Sequence, residues 1–83
     1  MITNEWTEHE HKLVKTFRFN QYLNVMAFAN SVMQIAHNQD HHPEMNIRYN
    51  TVKVSITDYE KGHVSEKCHR FISEVDKIVT ESC

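Results

Sequence analysis

Met45-Asn46-Ile47-Arg48-Tyr49-Asn50-Thr51-Val52-Lys53-Val54-Ser55-Ile56 contains two short runs in which apolar and polar residues alternate. Met45, Ile47 and Tyr49 share one parity; Val52, Val54 and Ile56 share one in the second run. Successive side chains of a strand point to opposite faces, so each run reads as a half-buried strand. A tight turn at Asn50-Thr51 is expected to set Tyr49 opposite Val52, Ile47 opposite Val54 and Met45 opposite Ile56. Both apolar sets then lie on one sheet face, as a stable register requires. Two details oppose an ideal hairpin: Thr is a poor residue for positive φ, and Arg48 faces Lys53.

Outward from this pair, the periodicity changes. Downstream, Cys68, Phe71, Ile72, Val75, Ile78 and Val79 follow helical spacing, with Ser65 as the expected N-cap and Glu66 in the first turn. Upstream, Tyr22, Met26, Ala29, Met33 and Ala36 recur at helical spacing, widened by Leu23, Val25, Val32 and Ile35. Asn20 is the expected N-cap of this helix. Its pattern ends in His37-Asn38-Gln39-Asp40, and Pro43 cannot continue it. Before it, residues 5–8 and 12–19 are rich in aromatic and β-branched side chains and read as two strands joined by the polar Glu8–His11 stretch. In the second, Leu13, Phe17 and Phe19 share a parity into which Lys15 intrudes. The expected fold is α+β, in the order β-β-α-β-β-α. Its two layers are a four-stranded antiparallel sheet and two helices covering one face.

Eighty-three residues suffice for a single domain spanning 1–83. A domain of this size buries only about 60–65% of its unfolded surface, so self-association is a natural source of added stability. Nine Lys and Arg against eleven Asp and Glu, with no long basic run, argue against nucleic acid. Two cysteines cannot build a disulfide framework, and Cys68 on a helical face reads as a small buried apolar residue. The N-terminus lacks a basic start followed by an apolar stretch, and no run approaches membrane-spanning length. The cytoplasm is the default compartment.

Of the seven histidines, His9, His11, His63 and His69 read as polar surface positions. His37, His41 and His42 gather where the first helix ends. Imidazole exchanges protons near neutral pH, and a helix C-terminus favours its cationic form. Three readings compete: a polar exit from the helix, a proton-transfer site, and a metal site. His37 and His41 would share a face if both were helical. Against a metal stand Pro43, the lack of an HExxH pattern and the distance of either cysteine.

The segment Ala36-His37-Asn38-Gln39-Asp40-His41-His42-Pro43-Glu44, followed by Tyr49-Asn50 and Val52, resembles the signature of the pterin-4a-carbinolamine dehydratases. The similarity extends through Trp6, Phe17-Arg18-Phe19, Phe28 and Val64-Ser65-Glu66-Lys67, nearly the whole chain. The resemblance implies the same α+β architecture and a hydro-lyase that removes water from 4a-hydroxytetrahydropterin, giving quinonoid dihydropterin. It implies His41 and His42 as an acid/base pair, with Tyr59 as a third catalytic position. His37, Asp40, Pro43, Glu44, Met45 and Asp58 are implied around the pterin, with Asp40 able to orient one imidazole. Neither cofactor nor metal is implied. A positioned acid or base contributes roughly 10²–10⁴-fold.

Departures from the family pattern bear on activity. Tyr59 stands where the family usually carries a third His, and phenol, with a pKa of about 10, is a poor base at neutral pH. His37 replaces a frequent acidic residue, and Met45 a common aromatic. The resemblance further implies a homodimer or homotetramer and a functional link to an aromatic amino acid hydroxylase or another pterin user. The alternative is a non-catalytic pterin-binding or coactivator-like interaction module on the same fold, favoured by the loss of the third His.

Overall fold

The computed structural model describes residues 6–82. Two strands, β1 (Thr7–His9) and β2 (Lys12–Arg18), lead into helix α1 (Tyr22–Gln39); β3 (Glu44–Ile47), β4 (Thr51–Ile56) and helix α2 (Glu66–Ser82) follow. The element order and the α+β class are those expected. All strand pairs are antiparallel, in the spatial order β1-β2-β4-β3.

Alternation places the helices on one face. Leu13 pairs with Ile56 and Phe17 with Val52, and these four, with Val54, are buried against α1 and α2. From α2, Cys68, Phe71 and Val75 are fully buried at the i, i+3, i+7 spacing read from the sequence. Burying a Val, Ile or Phe contributes about 1.5–3 kcal/mol, so this single layer carries most of the domain's stability. Lys15, on the inward parity, extends its ammonium over the Phe17 ring, 4.9 Å from the centroid, and towards Asp76 Oδ1 at 3.5 Å. Trp6 donates to the same oxygen at 3.0 Å and ties the sheet edge to α2.

Several local expectations are corrected. The β3–β4 register is shifted by two residues: Ile47 faces Val52 and Met45 faces Val54. An even shift preserves the apolar face, so hydrophobic pattern alone could not choose between these registers. Tyr49 and Asn50 form the two-residue loop, closed by Arg48 N–H to Thr51 O at 2.8 Å, so Thr51 is a strand residue and the objection to positive φ there falls away. Asn46, not Arg48, faces Lys53.

The first hairpin is tighter than expected. Strand β1 runs to His9, and Glu10-His11 alone connects it to Lys12, both with positive φ, 52° and 67°. Glu5, at the start of the expected first strand, lies outside the described residues. Gln21, not Asn20, is the N-cap of α1 and makes no side-chain cap bond. The buried stripe of α1 is Val25, Phe28, Ala29, Val32 and Ala36, whereas Tyr22, Leu23, Met26 and Met33 lie outside. Among the described residues, no helix is long and apolar enough to cross a membrane.

Candidate active site

Helix α1 ends in a turn that decides where the histidines go. Asp40 is left-handed, φ 53° and ψ 46°; its N–H reaches His37 O, and His41 N–H reaches Ala36 O at 3.0 Å. This is a Schellman closure with Asp in the position usually held by Gly. It reverses the chain so that His41 turns inward and is buried, while His42 remains exposed. His41 has therefore left the helix, and His37 and His41 do not share a helical face.

The buried His41 ring sits edge-on to Phe71, with centroids 6.1 Å apart. Its Nε2–H donates to the Thr57 carbonyl at 2.7 Å. A carbonyl can only accept, so this bond fixes the tautomer and leaves the Nδ1 lone pair of the neutral ring free. Nδ1 is buried and has no hydrogen-bond partner among the described residues. Thr57, itself buried, donates its Oγ1–H to His11 O at 2.7 Å.

The loop after β4 is built around Asp58. One carboxylate oxygen accepts the Ser65 hydroxyl at 2.7 Å; the other accepts the Glu60 and Lys61 N–H groups at 3.1 and 3.3 Å. Gly62 N–H returns to Asp58 O at 2.7 Å with φ at 76°, a left-handed geometry that glycine adopts without cost. The Ser65 hydrogen bond, helped by the two backbone N–H groups, holds the Asp58 carboxyl below its ordinary value despite burial. Ser65 starts α2 as expected, its carbonyl accepting from Cys68 and His69, but its hydroxyl serves Asp58 rather than the helix.

Between the two turns lies a cavity of about 170 Å³ lined by Asp40, His41, His42, Asp58, Tyr59, Glu60 and Lys67. Five of the nine residues anticipated from the sequence are thus gathered in one place. His37, Pro43, Glu44 and Met45 do not line it. Glu44 pairs with Lys12 Nζ at 3.0 Å across β4, and Met45 packs against the core. Asp40 makes no hydrogen bond or ion pair with either imidazole among the described residues; its left-handed backbone makes the turn, and it lines the cavity. Tyr59 is 60% exposed at the rim. Thr57, Glu60 and Lys67 were not anticipated. Thr57 acts through its backbone carbonyl, which leaves no trace in a sequence.

Residues 1–78 match the family model described as pterin 4 alpha carbinolamine dehydratase. The chain belongs to this family. A protein of Nitrosomonas eutropha that carries the name pterin-4-alpha-carbinolamine dehydratase provisionally is 34% identical over 74 residues, 89% of this chain and 66% of its own length. A provisionally named dehydratase of Sulfolobus acidocaldarius is 32% identical over 73 residues, 88% of this chain and 80% of its own. A Xylella fastidiosa relative is 39% identical over 62 residues, 75% of this chain. The aligned chain spans 66% and 53% of the lengths of the Nitrosomonas and Xylella relatives.

Two solved structures share the fold. A transcriptional coactivator/pterin dehydratase from Brucella melitensis superposes with a TM-score of 0.82 at 21% identity, covering 90% of this chain and 80% of that one. A pterin dehydratase-like protein described as a RuBisCO assembly factor in the alpha-carboxysome gives 0.74 at 19% identity, covering 92% and 88%.

Proposed function

We propose that this protein dehydrates 4a-hydroxytetrahydropterin to quinonoid dihydropterin, in support of an aromatic amino acid hydroxylase or another pterin user. In this reaction the C4a–O bond breaks, the departing hydroxyl takes a proton and leaves as water, and the N5 proton is lost as the C4a=N5 double bond forms. One proton acceptor and one proton donor are needed. The observation that carries the reading is the buried, unpartnered Nδ1 of His41 beside the exposed imidazole of His42 in one cavity. In this reading one of the two imidazoles takes the N5 proton and the other gives a proton to the leaving hydroxyl. Tyr59 and Asp40 border the site, while Asp58 holds its shape. His37, Pro43, Glu44 and Met45 stand outside this cavity.

The test is a stopped-flow assay with freshly generated 4a-hydroxytetrahydropterin. His41→Gln keeps a donor for Thr57 O but removes the Nδ1 acceptor; His42→Ala removes the second imidazole. Each is expected to stay folded and lose roughly 10²–10⁴-fold in turnover. Unchanged turnover in both overturns the assignment.

A second reading, a non-catalytic pterin-binding or interaction module, is favoured by Tyr59 in the place of the family's third His. It predicts pterin binding without turnover, with activity appearing on Tyr59→His. We also propose self-association into a homodimer or homotetramer through the apolar outer side of α1.

A further inference from the structure

We infer that Lys67 is a substrate-binding residue that recognises the 4-oxo group of the pterin; this rests on the dehydratase reading above. Lysine usually keeps its ammonium in water. Lys67 is half-buried in the first turn of α2 and lines the cavity that holds His41 and His42. A cation at a helix N-terminus opposes the macrodipole, so the position does not serve the helix.

Nor does it serve an ion pair. Lys12, Lys15 and Lys77 are matched to Glu44, Asp76 and Glu74. Lys67 shares its cavity with three carboxylates, Asp40, Asp58 and Glu60, yet pairs with none among the described residues. The nearest in role, Asp58, is committed on both oxygens to Ser65 and the loop N–H groups. The Lys67 stem is partly buried, and its ammonium, with three donors and no carboxylate partner among the described residues, is available to a ligand in the cavity.

The chemistry of the ring supplies a partner. The pyrimidinone edge of a pterin presents one acceptor, the 4-oxo oxygen, beside the N3–H donor. A donor-only ammonium beside the acceptor-only carboxylates of Asp40 and Glu60 complements that pattern. Replacing the 4-oxo by a 4-amino group turns the acceptor into a donor, which an ammonium rejects.

The experiment titrates 6-methylpterin and 2,4-diamino-6-methylpteridine against the wild-type protein, Lys67→Met and Lys67→Arg, following ligand fluorescence, with thermal unfolding as the control for folding. Wild type is expected to prefer the 4-oxo compound. Lys67→Met is expected to lose about tenfold or more in affinity for it, as a hydrogen bond with one charged partner implies, and with it the preference. Lys67→Arg is expected to keep the preference. A Lys67→Met protein that binds 6-methylpterin as wild type does overturns the inference and leaves the pterin reading intact. Failure of wild type to bind 6-methylpterin at all overturns both.

Discussion

The carboxylate of Asp58 stays charged although it is buried, because every acceptor position it uses is filled by a donor of its own loop. Its folded pKa lies below the ordinary 3.8, chiefly through the Ser65 hydroxyl. The stabilisation is therefore complete above that ordinary value and is lost as pH falls through the lower, folded one. Asp58→Asn is expected to lower the urea midpoint at neutral pH and to shrink the fall in midpoint between neutral pH and about pH 3. An acid dependence identical to wild type would remove Asp58 from that account. At the same scale, the sequence marks His41 and His42 as one pair, and the structure buries the first and exposes the second on the same cavity. What divides them is a single left-handed residue, Asp40, which composition does not announce.

At the scale of elements, the Glu10-His11 turn holds two side chains in left-handed backbone, where a residue with a Cβ pays about 1 kcal/mol or more. Two-residue hairpins with both φ positive favour Asn-Gly. The double variant Glu10→Asn, His11→Gly is expected to gain about 1 kcal/mol in urea-unfolding stability. The His11 carbonyl that accepts from Thr57 is unaffected by the change of side chain. A loss of stability would show that the turn is unstrained. Strand and helix identities were legible because period 2 and period 3.6 are hard to confuse in Val52–Ile56 or Cys68–Val79. The hairpin register was not, since shifts of two residues leave the same faces buried. The inner side of α1 was equally hidden: its apolar residues span more than one face, and Val25, Phe28, Val32 and Ala36 join the core, with Ile35 packed against it.

For the whole molecule, the same breadth has a consequence. Tyr22, Leu23, Met26 and Met33 are 58%, 67%, 47% and 49% exposed along one helix of a domain with a thin core. Covering them in a second copy would recover about 25 cal/mol for each Å² of apolar surface removed from water. Light scattering at micromolar concentration is expected to report a dimer or tetramer, and Met26→Glu with Met33→Glu to report a monomer. A wild-type monomer counts against self-association. The Thr57-Asp58 junction sets a different property of the whole. Thr57 joins the His41 ring to the first hairpin, and Asp58 joins the last strand to α2, so the cavity floor is stitched to the central strand. Backbone amides there should exchange with solvent only when the domain opens globally, whereas Tyr59 to Gly62 can breathe locally. Entry and exit of a ligand are then matters for that rim alone, at no risk to the cooperative unit beneath it.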